Sequence, residues 1–400
     1  MFNEKKILLG VSASVSIYKS CELIRQLRKE GFEVKVALTK EAQSFISPLL
    51  FESLSSNKVY TDVLEENTHI GISHIELAKW ADAIAIVPAT AHIIAKLAHG
   101  LADCPVSLVS LASDKPKIIA PAMNSKMYEN IATQDNIALL KKRGFVFVEP
   151  TVGELACNSV GVGHIAEVED IKEAIESLFF EKTLTGKTII TTASSTQEEI
   201  DPVRYISNHS SGKMGFAISQ MAFNMGANSI LISGPSNLKT PYGVKRINVK
   251  SAIEMLNAIE QQIQQYDKDN IYLIMAAAIS DFKPKQPSNQ KIKRQNKDTL
   301  ILELEQNPDI SKSIKEKYPY IKLIGFAAET NDLIENATVK IEKKGLEFIV
   351  LNDVSRKDIG FGSPNNEVTI IFRDGKIKHL PLMSKKEVAY NILKYIEEKK

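Results

Sequence analysis

Cysteine is scarce: Cys21, Cys104 and Cys157 are the only three in 400 residues, and no C-x-x-C joins them. That count excludes a disulfide framework and a cysteine zinc site, and it points to a reducing compartment. The seven histidines form no H-E-x-x-H and no cluster with the cysteines, so a firmly bound transition metal has no motif to hold it. Only loosely held magnesium stays open. Charge of one sign is also lacking, because the formal net charge is +2, which removes bulk attraction to nucleic acid or an anionic membrane. No apolar run approaches the roughly 18 residues of a membrane span. The apolar segment after Lys6 stops at Gly10, too soon for a secretory signal, and the cytoplasm is the expected address.

What remains is an ordinary globular composition, 44% hydrophobic and 24% charged. Four hundred residues exceed what one core organises, so two domains are expected. Lys5 to Gly10 reads as a buried strand, followed by a small-residue loop and a helical pattern from Ile17 to Lys29. Strands recur at Glu33 to Leu38, Ala83 to Val87 and Lys117 to Ala120, and a helix at Asp170 to Phe180 closes the first half. Polar, glycine-ended Glu181 to Gly186 suits a linker. The rhythm then restarts with strands at Thr188 to Thr192, Ser229 to Ile232 and Ile271 to Ala276, and a helix at Gly215 to Met225. Short apolar strands alternating with helices predict doubly wound parallel sheets, whose ligands sit beyond the carboxyl ends of the strands. The domains are expected at 1–181 and 186–400.

In the first half, Pro88-Ala89-Thr90-Ala91 and Pro121-Ala122-Met123-Asn124 each follow a strand and open a helix, where small residues and free N–H groups receive phosphate or carboxylate. His74 precedes a helix carrying the sole tryptophan, Trp80, and Cys157 lies in the glycine-rich Gly153 to His164, which suits a mobile flap. Taken singly, each of these is more often structural. In this order and spacing, "SHIELAKWAD", "PATA", "PAMNSKMY" and "ELACNSVGVG" resemble the flavin-mononucleotide-dependent cysteine decarboxylase family over about residues 5 to 180. The resemblance implies FMN as cofactor, contacted by Ser12, Thr90, Pro121, Ala122 and Met123. It further implies His74 as the catalytic histidine, Asn124 as the group that binds the substrate carboxylate, and Cys157 as the flap residue that takes part in reducing the enethiol. Ala13 stands where the family has glycine, a change that strains the backbone only at positive φ. Asn158 and His164 stand at flap positions usually held by glycine and arginine.

In the second half, Asp201 to Gly215 contains Ser-Ser-Gly-Lys but fails as a Walker loop, because Ser207 and Met214 occupy its first-glycine and hydroxyl positions. Lys283 to Lys297 carries six basic residues and no acid, and reads as an exposed loop, either a solvated arm or a phosphate clamp. The Asp201 to Gly215 segment, with "AAAISDF", "KIKR", "NPDI", "GFAAET" and "NDV" behind it, closely resembles phosphopantothenate–cysteine ligases over roughly Gly186 to Lys399. That resemblance implies acyl-cytidylate formation at Asn208 and its turnover at Lys291. It implies a CTP site around Ala277, Asp281, Lys291, Asn307, Pro308, Asp309, Ile310, Phe326 and Lys343, with magnesium beside CTP. Ser194, Ser195 and Gln197 replace the small or cationic residues usual there, which removes an arginine contact to phosphate.

Both halves together resemble the bacterial bifunctional family that joins 4′-phosphopantothenate to L-cysteine and then decarboxylates the product to 4′-phosphopantetheine. The expected fold is α/β in two domains, an N-terminal flavodoxin-like or Rossmann-like flavoprotein decarboxylase and a C-terminal Rossmann-like ligase. The family implies a homo-oligomer of trimeric decarboxylase and dimeric ligase units. A nicotinamide-dependent reductase or epimerase is the rival enzyme, but no G-x-G-x-x-G follows either first strand. A regulatory flavoprotein without catalysis is the rival binding module, and the attached ligase half argues against it.

Overall fold

Alternating strand and helix build two units, Met1–Phe179 and Phe180–Lys400, in a computed structural model of the chain. The structure describes all residues except 1, 64–72, 155–159, 294–298, 330–332, 354–361 and 399–400.

The first unit holds β1 (Lys6–Val11), β2 (Glu33–Leu38), β3 (Val59–Tyr60), β4 (Ala83–Ala89), β5 (Lys117–Pro121) and β6 (Val146–Phe147). They form one parallel sheet in the order β3-β2-β1-β4-β5-β6. This is the Rossmann order, and every residue of β4 is buried, which is why its sequence reads as a continuous apolar run. Chain direction across the sheet reverses between β1 and β4, so the crevice beyond their carboxyl ends is the place for a ligand. A separate antiparallel hairpin, β7 (Thr151–Glu154) and β8 (Val160–His164), carries the ends of the expected flap. The last helix runs Val168–Ser177, starting earlier than expected because Glu169 and Asp170 favour its first turn. Phe179 then leaves it to join rings with Phe2 and Phe32.

The second unit holds β9 (Thr188–Ala193), β10 (Gln197–Glu199), β11 (Tyr205–Ser207), β12 (Asn228–Ser233), β13 (Lys245–Asn248), β14 (Ile271–Met275), β15 (Phe282–Pro284), β16 (Leu304–Gln306), β17 (Lys322–Glu329), β18 (Phe348–Asp353), β19 (Asn365–Phe372) and β20 (Ile377–Ser384). Its main sheet has the order β13-β12-β9-β14-β17-β18-β19-β20, parallel up to β18 and antiparallel beyond. Met255, Ile259, Ile314 and Ile341 bring three helices to one face, while Ile218, Met221, Val388 and Ile392 bring two to the other. Leu184 is fully buried in the second of these cores, and Lys182 Nζ donates to the Asn224 carbonyl at 2.7 Å.

Among the described residues the basic stretch is the expected, mostly exposed loop from Lys285 onward, but its first two residues belong to a strand. Phe282–Pro284 pairs with Leu304–Gln306, and Lys283 and Lys285 meet Glu305 and Glu303 at 3.2 and 2.6 Å. The acids missing within the stretch come from the returning strand, which local sequence does not reveal.

Candidate functional site

In the first unit the β1, β4 and β5 loops are bonded into one edge. Ser12 is buried, and its hydroxyl donates to the Pro88 carbonyl at 2.8 Å while accepting from the Thr90 N–H at 3.1 Å. Thr90 caps the helix Ala91–His99 through the Ile93 N–H. The Ala122 N–H donates to the Ala89 carbonyl at 2.9 Å, and the Met123 N–H reaches the Gly163 carbonyl at 3.1 Å. Gly163 has φ of 135°, and a Cβ there would stand 2.2 Å from the Met123 carbonyl oxygen, so only glycine lets β8 lie against this turn. Asn124 caps the helix Ser125–Glu129, its Oδ1 accepting from the Lys126 N–H at 2.8 Å, which orients the amide.

This edge brings Ser12, Thr90, Pro121, Ala122, Met123 and Asn124 together. Small side chains and two capped helix starts suit a phosphate-bearing planar cofactor. Ser12 acts chiefly as a brace, since its hydroxyl both donates and accepts within the protein. The described non-glycine residues of positive φ are Glu4, Ser56 and Ser194, so Ala13 carries its methyl without backbone strain. His74 lies half-buried on the first turn of the helix Ser73–Trp80, and among the described residues no hydrogen bond joins it to Ser12, Thr90 or Asn124. Cys157 and Asn158 lie outside the described residues. His164 pairs with Thr151 in the hairpin, its Nδ1 3.0 Å from the Ile165 carbonyl.

In the second unit, the order in which strands are added reverses between the parallel neighbours β9 and β14, and a cavity of about 260 Å³ opens beyond β14. Ala277, Asp281, Asn307, Pro308, Asp309, Ile310 and Phe326 line it, all from the residues expected around CTP. Lys343 does not line it and is exposed; Lys340 and Lys344, one turn apart on the helix Leu333–Lys344, line it instead. Helical phase decides this, because positions four apart share a face. Ser280 and Ser311, also unforeseen, complete the polar wall. The only sequence signal for the lysine pair was their spacing just before Gly345.

Asp309 caps the helix Ile310–Lys317 with Oδ1 and holds Lys344 Nζ with Oδ2 at 3.1 Å. Burial pushes its carboxyl up, but donors from Ser311, the Lys312 N–H and Lys344 outweigh that and hold it below the usual value. Asn307 Nδ2 donates to the Ser280 carbonyl at 2.8 Å. Asn307 Oδ1 and Ser280 Oγ, by contrast, are buried without a hydrogen-bond partner among the described residues. Unmet polar atoms of this kind are costly in a wall that binds nothing.

Asn208 and Lys291 stand outside the cavity lining. Asn208 is exposed, with Nδ2 donating to the Ala278 carbonyl at 3.2 Å, next to cavity residue Ala277. Lys291 is exposed beside Ile292, whose N–H donates to Asp201 Oδ2 at 3.1 Å. Ser194 has φ of 65°, a left-handed conformation where the resembled family carries glycine.

Residues 1–180 match the family described as "Flavoprotein", and residues 184–399 match "DNA/pantothenate metabolism flavoprotein C-terminal domain". The chain is 44% identical over 400 residues to the coenzyme A biosynthesis bifunctional protein CoaBC of Bacillus subtilis (strain 168), covering 99% of this chain and 97% of that one. Identity to the protein of the same name from Escherichia coli (strain K12) is 42% over 395 residues, covering 97% and 95%. A crystal structure of the C-terminal domain of CoaBC is 42% identical, covering 55% of this chain and 97% of that one, with a TM-score of 0.46. The FMN-dependent cysteine decarboxylase SpaF is 32% identical, covering 40% and 91%, with a TM-score of 0.37.

Proposed function

The chain belongs to the family of coenzyme A biosynthesis bifunctional proteins, and from that premise we propose which cofactor, nucleotide and residues carry its two reactions. The family combines phosphopantothenoylcysteine decarboxylase and phosphopantothenate–cysteine ligase activities, in a flavoprotein half and a ligase half. We infer that the ligase half uses CTP and passes through an acyl-CMP intermediate, and that the decarboxylase half uses FMN.

The observation that carries the ligase reading is the cavity beyond β14, where carboxylates, lysines and unpaired polar atoms converge. A carboxylate is a poor acyl donor because attack on it must expel an oxide. Joining 4′-phosphopantothenate to CMP supplies the missing leaving group, and the amine of L-cysteine then attacks the mixed anhydride. In this reading Asn307 Oδ1 and Ser280 Oγ meet the base, Lys340 and Lys344 meet the triphosphate, and Phe326 packs beside them. Magnesium bound with CTP would spread the phosphate charge, and exposed Asp281 offers it one carboxylate, sufficient for an ion that keeps several waters. Asn208 positions the attacking carboxylate, and Lys291 acts on the anhydride.

For the decarboxylase half, Ser12, Thr90, Pro121, Ala122 and Met123 at the β1–β4 edge would hold FMN, which when bound would supply the reversible redox chemistry and electron sink that carboxylate loss needs. The chain's own groups orient and protonate. Asn124, its amide aligned by capping, holds the substrate carboxylate; His74 serves the oxidation; Cys157 donates a proton to the enethiolate carbon after carbon dioxide has left. A homo-oligomer fits the exposed apolar side chains of the ligase unit, where Ile301 is 90%, Leu300 53% and Phe282 52% exposed. Trimeric decarboxylase units and dimeric ligase units are the arrangement we propose.

Two measurements test this. The purified chain, given CTP, magnesium and 4′-phosphopantothenate without cysteine, should release pyrophosphate and accumulate the acyl-CMP, read by mass spectrometry. Release only with ATP, or none before cysteine is added, overturns the intermediate. Its absorbance should show bound flavin, and a folded colourless protein overturns the FMN reading.

A further inference from the structure

The hairpin β10–β11 turns through Asp201 and Arg204, and that turn is bonded to the backbone on both sides of Lys291. Asp201 is buried, yet five donors reach its carboxylate. Oδ1 accepts from the N–H groups of Val203 and Arg204, each at 2.8 Å. Oδ2 accepts from Arg204 Nε at 3.0 Å, from Arg204 Nη2 at 2.5 Å and from the Ile292 N–H at 3.1 Å. Arg204 Nη2 also donates to the Ile292 carbonyl at 2.9 Å, and the Ser288 N–H donates to the Ile200 carbonyl at 2.9 Å. The grip is on backbone at 288 and 292, while the Lys291 side chain between them stays exposed.

Burying a carboxylate is expensive unless donors surround it, and here that cost goes into holding a basic surface segment rather than a core. Lys283 and Lys285 take their counter-charges from Glu305 and Glu303, but the backbone at Ile292 takes its anchor from Asp201. The same hairpin runs from β11 directly into Asn208, which has its own bond to Ala278. One turn therefore anchors the segment of Lys291 at one end and leads to Asn208 at the other.

We propose that Asp201, acting through Arg204 and the backbone of Ile292, is a positioning residue for Lys291 in the second step of ligation. The inference rests on the reading of Lys291 given above. Asp201 touches no reacting atom; it sets where the lysine stem begins.

The test uses the full chain and separates the two steps. Asp201→Asn loses the charge that holds the Arg204 fork, and it should slow amide formation tenfold to about a hundredfold, the scale of a misplaced group. Pyrophosphate release without cysteine should stay within about twofold, because Asn208 keeps its own anchor. The deciding readout is the double variant with Lys291→Gln, expected to be no slower than Lys291→Gln alone, since Asp201 has nothing left to position. Multiplying losses in the double variant, or equal loss of both steps in Asp201→Asn, would overturn the positioning role while leaving Lys291 its own. If Lys291→Gln by itself leaves amide formation at the native rate, the reading of Lys291 falls and this role falls with it. Should Asp201→Asn fail to fold, Arg204→Lys keeps the charge but removes the fork, and the same pattern is expected of it.

Discussion

At Ser194 the backbone adopts φ of 65°, and its Oγ lies 3.2 Å from the hydroxyl of Ser233 in the buried layer behind β9. Ser233 already donates to the Gly234 carbonyl, so Ser194 is the donor of that pair. A left-handed residue with a Cβ costs about 1 kcal/mol, and a buried hydrogen bond contributes about the same, so the two nearly cancel. Ser194→Ala keeps the strain and loses the bond, whereas Ser194→Gly loses both. Urea unfolding should therefore place the glycine variant near the parent and about 1 kcal/mol above the alanine variant. A second residue gives a pH dependence. Burial, and then the charge of Lys213, push Lys385 down to about 8, while its Nζ donates to the Ser363 carbonyl at 2.6 Å. An unfolded lysine holds its proton to about pH 10.4, so between about 8 and 10.4 the unfolded chain binds more protons. Stability relative to Lys385→Met should accordingly rise as pH goes from 7 to 10, by about 2 kcal/mol, in paired denaturation curves.

Among the elements, the helix Ile310–Lys317 depends on its cap, because Asp309 both accepts the Lys312 N–H and fixes Lys344 from the helix Leu333–Lys344. Asp309→Ala should cost about 1 kcal/mol for the cap, while Asp309→Asn keeps the acceptor and should cost little, since the half-exposed pair with Lys344 lost in both contributes little. Both remove the charge that orients Lys344, so both should raise the KM for CTP several-fold, whereas only the alanine variant loses stability. A fall in KM in either variant would show that the pair competes with phosphate instead of presenting the lysine. Strand and helix periods were legible locally. In "PATA", however, β4 runs through Pro88 and Ala89 before Thr90 caps the helix, an extension set by pairing of Ala89 with Pro121 on the neighbouring strand.

For the molecule as a whole, the place to divide the chain follows from what residues 180 to 187 touch. Phe180 packs on Tyr390 at 6.0 Å, Lys182 bonds to the Asn224 carbonyl, and Leu184 is fully buried, all within the second unit. We predict that both halves fold when expressed separately, but that a fragment starting at Phe180 outlasts one starting at Gly186. Loss of a buried leucine and an aromatic contact should make the shorter fragment less stable by about 3 kcal/mol in urea. Equal midpoints would mean that the segment adds nothing, and insolubility of both fragments unless co-expressed would mean that the units depend on each other.

The amino-acid sequence by itself determined the two doubly wound units, the order of their motifs and the absence of metal and dinucleotide signatures, because apolar runs, turn residues and spacings are local properties. It also led to the NPDI and AAAISDF segments, which do line one cavity. Only the tertiary structure decided which lysines face that cavity, that Ala13 escapes strain while Ser194 does not, and that Asp201 anchors the backbone beside Lys291. Those outcomes depend on helical phase, on the sign of φ and on a bond spanning 91 positions between Asp201 and Ile292, and none of the three is written in any window of neighbouring residues.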